Sequence, residues 1–318
     1  MRISNFVAAG LMAVSSTMAH SDILSRSEIS RRGAMSKRCE ASAASFNKKR
    51  QAKQIAKRAW GTGNSTVQLT TEAPFFDTIQ NDTCVLTPEA TEGPYVWPRS
   101  QTLRQDMTED QPGVPLWLDI GVLDMATCEP LPQAMVNFWH CNATGSYSSF
   151  TGISPDTPFP TLLSELNITD FEIGVTDLHT DDTTFLRGMW PTDANGMMEM
   201  KTIFPGFYTA RAIHIHIQVY TEWTLHPNGT LDSGNLVNTG QVYFAEDLEE
   251  QIMALEPYAS HTTINRTTNA EDTVIADDSE NGYNPIMEVV AADGENVENG
   301  MIGFITIGVD TTALYGNE

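Results

Sequence analysis

The sequence predicts an all-β protein, an antiparallel β-sandwich that carries a basic helical arm at its N-terminus. Three observations predict it. From about residue 66 apolar residues recur at the two-residue spacing of strands. Asp- and Gly-rich turns separate those runs, as at Asp193 to Gly196 and Pro227 to Gly229. Helical patterning is confined to residues 20–60 and to Asp247–Leu255, which has acids in its first turn.

Taken in order, residues 1–19 read as a secretory signal peptide. Arg2 supplies the positive start, Phe6 to Val14 the apolar stretch, and Thr17-Met18-Ala19 the small residues of a cleavage site. Residues 20–65 read as a basic amphipathic arm. Cys39, Phe46, Ile55 and Trp60 form a loose apolar stripe, and Gly61 stops it. Paired bases at Arg31-Arg32, Lys37-Arg38, Lys49-Arg50 and Lys57-Arg58 suit either a propeptide cut at a dibasic site or a retained arm docked on the acidic body. Residues 66–318 form the sandwich domain. Its strands are expected at Leu116–Met125, Ala134–Trp139, Met197–Ile203, Ala212–Tyr220, Gln241–Phe244 and Met301–Val309. Residues 150–185 form a long insertion that either caps the site or makes a subunit contact, as in a homodimer. Residues 260–300 are acidic and read as irregular.

Charge and cysteine content narrow the function. The net charge is -23, and 12 of the 18 Lys and Arg lie in residues 1–60, leaving six against 38 acids in the rest. A general nucleic-acid binder, which needs cations for phosphates, is excluded. No apolar run is long enough for a membrane-spanning helix. Four cysteines suggest two disulfides, with Cys128–Cys141 the favoured pair on adjacent strands. Sequons at Asn64, Asn81, Asn142, Asn167, Asn228 and Asn265 fit a secreted, extracellular glycoprotein.

The sharpest chemical feature is Ile213-His214-Ile215-His216-Ile217-Gln218. On a strand, His214, His216 and Gln218 share one face while the isoleucines face the core. Two imidazoles so placed can grip one metal ion, and imidazole suits Zn, Cu, Fe and Ni. The His and carboxylate spacings of a cupin or of a two-His-one-carboxylate iron site are missing. Tyr208 stands just before the strand. An ionised phenol is a hard ligand that a trivalent cation favours, so a His and Tyr set points toward Fe(III).

At this point the chain resembles the intradiol ring-cleavage dioxygenases, and among them a secreted, fungal-type group. The resemblance runs from about Leu86 to Phe244. It rests on blocks in order: Thr87 to Tyr95 (TPEATEGPY), Leu118 to Pro130, Trp139 to Tyr147, Phe185 to Gly188, Thr192 to Gly196, and Phe204 to His216. It implies a mononuclear non-haem Fe(3+) held by Tyr147, Tyr208, His214 and His216. It implies Arg211, Gln241 and Tyr208 as catalytic residues, and Pro94 and Tyr95 beside the substrate. The implied reaction is cleavage of a small aromatic diol by O2 between its two hydroxylated carbons, giving a muconate-type diacid. Two departures touch no ligand: Val96 follows Tyr95, and Ser148-Ser149 follow Tyr147. The rival readings are a non-catalytic binding module and a copper or other-metal oxidase. That oxidase would use His214 and His216, or a histidine brace on His20.

Overall fold

The computed structural model describes residues 87–312, apart from residues 98, 99, 101, 174, 228–230 and 280–282. The expected signal peptide and basic arm lie outside the described residues.

The apolar alternation folds as its period requires. Strand β1 (Pro115–Asp124) turns Leu116, Leu118, Ile120 and Val122 into the core. It pairs antiparallel with β2 (Glu129–Pro130) and β5 (Met197–Ile203). Its other edge pairs with β11 (Met301–Val309), which β10 (Glu288–Ala291) flanks. A second sheet takes β3 (Met135–Trp139), β4 (Arg187–Pro191), β6 (His214–Thr221) and β9 (Asn235–Tyr243), in the order β4-β3-β6-β9. Val136 and Phe138 of β3 and Ile215, Ile217 and Val219 of β6 meet the β1 side chains in one core. The result is the expected two-sheet sandwich. A short hairpin of β7 (Thr224–Leu225) and β8 (Leu231–Asp232) lies outside both sheets.

One pairing departs from the antiparallel rule: β1 and β11 run parallel. A parallel neighbour needs a crossover of a dozen residues or more. Residues 125–300, which include the whole second sheet, lie between the two strands and supply it, and the long connection after β9 returns the chain to the first sheet. That connection holds helix α2, which follows the 150–185 insertion's helix α1 (Phe159–Glu165) and spans Glu246–Met253. It then makes a 3-10 turn at Tyr258–Ser260 and helix α3 (Thr273–Asp278). The expectation of an irregular 260–300 is therefore corrected. Asp272 caps α3 by accepting from Val274 N at 2.9 Å, and a six-residue helix is too short to show periodicity in the sequence.

The expected Cys128–Cys141 bond does not form. Cys141 is a free, buried thiol that donates to Gly206 O at 3.3 Å, whereas Cys128 is disulfide-bonded. Cys141 lies past the end of β3 and turns into the cluster around Tyr208, away from the β1–β2 turn that holds Cys128.

Candidate metal centre

The outer face of the four-stranded sheet builds the site by register. Trp139 pairs with Arg187 on one side and His216 on the other, and His216 pairs with Gln241. His214, two residues along, pairs with Tyr243. These polar side chains are buried because other segments cross them. Thr91 O accepts from Gln241 Nε2 at 3.0 Å, Glu92 Oε1 from Gln218 Nε2 at 2.6 Å, and Tyr95 O from Arg187 Nη2 at 2.8 Å. Gly93, at φ +70°, brings the backbone so close that a Cβ there would sit 3.2 Å from His216 Cε1.

Four donors converge under this cover. The Nε2 atoms of His214 and His216 are 3.1 Å apart, and Tyr208 Oη lies 3.2 Å from His214 Nε2. His214 Nδ1 donates to Ala212 O at 2.6 Å, which leaves the Nε2 lone pair facing the centre. The His216 ring stacks on Trp139, 4.8 Å between centroids. The Tyr147 ring stacks on Tyr95 at 4.6 Å and meets Tyr208 edge-on at 5.6 Å. The buried Tyr147 hydroxyl and His216 Nδ1 have no hydrogen-bond partner among the described residues. An orphaned buried phenol suits a cation-binding position. No group of three or more His, Cys, Asp or Glu gathers among the described residues, and the phenols of Tyr208 and Tyr147 are the oxygen donors that stand beside the histidine pair.

Electrostatics agree with that donor set. Burial, then the nearby Arg211 charge, holds both imidazoles well below their ordinary range, so both are neutral with free lone pairs. Burial pushes Tyr208 up to about 12 and Tyr147 well above the ordinary phenol value. Two phenols in this pocket ionise only beside a strong positive charge, which a trivalent ion supplies.

Two turns bring the tyrosines together. Asn142 Oδ1 accepts from Thr144 N, Thr144 Oγ1 and Ser146 N at 3.0–3.1 Å, closing the turn before Tyr147. The Asn142 side chain is thus built into the fold, its Nδ2 donating to Gln111 Oε1 at 3.2 Å. Gly145, at φ +87°, touches the other turn: an added Cβ would lie 2.2 Å from Phe207 O. The 150–185 insertion packs here too, with Leu162, Leu163 and Leu178 in one buried cluster with Tyr95, Tyr147 and Tyr208.

The remaining expected residues fall around this centre. Arg211 Nη2 donates to Gln241 Oε1 at 2.5 Å and to Tyr243 Oη at 3.2 Å. Pro94 is half-buried in the covering segment. His140 is structural: its ring bridges Cys141 O and Thr202 Oγ1, each at 2.7 Å. His226 is exposed, but His261 is not. Its side chain stacks on Phe207 at 4.5 Å and meets Asp156 Oδ1 at 2.6 Å. Sequence reasoning assigned no role to Arg187, which is 3% exposed and also donates to Ser148 Oγ and Ser148 O at 2.9 and 2.8 Å. Its rarity was a signal, since residues 61–318 hold only six Lys and Arg. A cavity of about 10 Å³, room for one water, lies between Val96, Trp97, Ser100 and the sheet beside Trp139.

Fold and donors together describe a β-sandwich with a buried His and Tyr centre on one sheet face. Residues 91–254 match the family model described as Dioxygenase. The chain is similar to an intradiol ring-cleavage dioxygenase from Tetranychus urticae, at 26% identity and TM-score 0.57, covering 74% of this chain and 98% of that one. A second dioxygenase structure is similar at 26% identity and TM-score 0.55, covering 73% and 97%. A third similar structure is the dioxygenase domain of a dioxygenase and carbohydrate-binding fusion from Streptomyces sp. SirexAA-E, at 23% identity and TM-score 0.41, covering 71% and 98%. No curated protein sequence matches the chain. The chain belongs to the intradiol ring-cleavage dioxygenase family, and is thereby an oxidoreductase that opens aromatic rings.

Proposed function

We propose that this protein is a secreted, mononuclear non-haem Fe(III) enzyme that cleaves catechol-type diols between their hydroxylated carbons with O2, yielding muconate-type diacids. One observation carries the reading: two neutral imidazoles and two phenols converge in a pocket that leaves the Tyr147 hydroxyl without a partner. Tyr147, Tyr208, His214 and His216 would hold the ion. Bound there, ferric iron supplies the Lewis acidity that stabilises a diol as its dianion. The chain's own residues do the rest. Trp139 and the Ala212 carbonyl fix the two imidazoles. Tyr208, 8% exposed against 3% for Tyr147, would take a diol proton. Arg211 sits at the edge of the centre, where its charge stabilises negative charge developing on the ring. Secretion is supported by the leader-like residues 1–19, by the sequons and by a disulfide-bonded Cys128.

The test is product analysis with iron-reconstituted protein, catechol and 18O2. The expected result is one O2 consumed per diol and both labelled atoms in an acyclic diacid. Quinone formation would point instead to a metal oxidase built on His214 and His216. An unchanged diol would leave a non-catalytic sandwich. Mass analysis of the protein purified from the culture medium checks secretion, with a mature chain lacking residues 1–19 as the expected species.

A further inference from the structure

Arg211 is held by a carboxylate that lies outside residues 91–254, the part of the chain matching the family. Asp272 Oδ2 accepts two hydrogen bonds, from Arg211 Nε at 2.9 Å and from Ala212 N at 2.8 Å. Its other oxygen takes Val274 N, opening α3. The carboxylate is 1% exposed. The carbonyl of the same Ala212 receives His214 Nδ1 at 2.6 Å. One carboxylate therefore grips the guanidinium and, through a single residue, the acceptor that sets the tautomer and aim of an imidazole. Helix α3 keeps it there, with Ile275 packed in a cluster with Ala212 and Tyr243.

The guanidinium passes the order onward. With Nε on Asp272 and Nη2 on Gln241 and Tyr243, Nη1 is the nitrogen left without a hydrogen-bond partner among the described residues. Gln241 continues to Thr91 O at 3.0 Å, at the head of the segment that carries Pro94 and Tyr95. A line of hydrogen bonds thus runs from the C-terminal region to the edge of the substrate site.

We propose that Asp272 is a positioning residue of the reaction: it fixes Arg211 so that only Nη1 remains to act, and it holds the Ala212 peptide that orients His214. The catalytic side of this inference rests on the ferric centre proposed above. A residue that only capped α3 would behave differently. Asn and Ser cap helices about as well as Asp, but neither keeps enough acceptor oxygens for Val274 N, Arg211 Nε and Ala212 N together.

The experiment compares wild type with Asp272→Asn and Asp272→Ser. In the iron-loaded proteins the expected result is a fall in kcat of about 10- to 100-fold, the usual scale for a lost supporting partner, and a shifted tyrosinate-to-iron absorption band. In the metal-free proteins, NMR should find a slowly exchanging Arg211 Nε–H in wild type and lose it in both variants. Wild-type kcat, an unmoved band and a retained Nε–H resonance in the variants would overturn the proposal and leave a helix cap. If neither variant folds, rapid exchange of the wild-type Nε–H would overturn it equally. A wild type without any ferric band would refute the centre, not Asp272, and the Nε–H resonance would still decide whether Asp272 holds Arg211.

Discussion

Replacing Gly145 with alanine tests how the two phenols are spaced. Gly145 lies two residues before Tyr147, and Phe207, which it touches, directly precedes Tyr208. A side chain at φ +87° costs about 1–2 kcal/mol. The new Cβ would also stand 2.2 Å from Phe207 O and 3.0 Å from Pro155 Cβ. Ordinary contact begins near 3.5 Å, so the turns must part by about 1 Å, adding about 1–3 kcal/mol of overpacking. The sum, about 2–5 kcal/mol, lowers Tm by roughly 5–15 °C. The effect on chemistry is larger than the effect on folding. Metal ligands tolerate errors of only about 0.2 Å, and about 1 Å of misplacement costs about 100-fold in rate. Gly145→Ala should therefore fold, yet show a weakened or displaced tyrosinate band per iron and turnover down about 100-fold. The assay is iron content, visible spectrum and Tm on one preparation. A variant with native spectrum, turnover and Tm would refute the claim that this turn-to-turn contact sets the phenol spacing.

His216→Ala should reduce iron to background by elemental analysis, and stoichiometric iron with full turnover would remove His216 from the ligand set. Tyr208→Phe should keep iron through the other three donors but bind catechol more slowly in anaerobic stopped flow; an unchanged binding rate would contradict its proton-accepting role. Arg187→Ala leaves the buried carbonyls of Tyr95 and Ser148 without their charged donor, and should lower stability by about 2–5 kcal/mol in urea; a change under about 0.5 kcal/mol would show that these bonds are replaced. Burial holds His140 down at about 4, against about 6.5 in the unfolded chain. The unfolded state therefore binds the extra proton first, and stability falls as pH drops from about 6.5 to about 4. The loss from this group reaches about 3 kcal/mol. Metal-free His140→Gln should lose that much less than wild type over the same range, and equal slopes would exclude His140 as the cause.

The sandwich was legible because its core strands alternate cleanly. Leu116, Leu118, Ile120 and Val122 and the three isoleucines around His214 and His216 each declare one buried face. The donors were legible for two reasons. His214 and His216 show themselves by spacing, whereas Tyr147 and Gln241 are distant in sequence and entered only through the family resemblance. What stayed hidden depends on tertiary contacts that leave no local pattern. The parallel pairing of β1 with β11 follows from a long crossover, and α3 is too short to have a period. Arg187 and Asp272 are single charges whose partners lie tens of residues away. Cys141 misled because an even cysteine count says nothing about which way each side chain turns. The burial of His261 left no local signal either, since it comes from Phe207 and Asp156, far along the chain.

The proposed centre is a ferric ion bound by two tyrosinates with a position open to a diol. Its most direct test is the visible absorption spectrum of the iron-loaded protein, recorded without O2 before and after adding catechol. A tyrosinate-to-Fe(III) charge-transfer band that shifts to longer wavelength on adding catechol is the predicted result. A protein that stays colourless after iron reconstitution, or whose band ignores catechol, would contradict it.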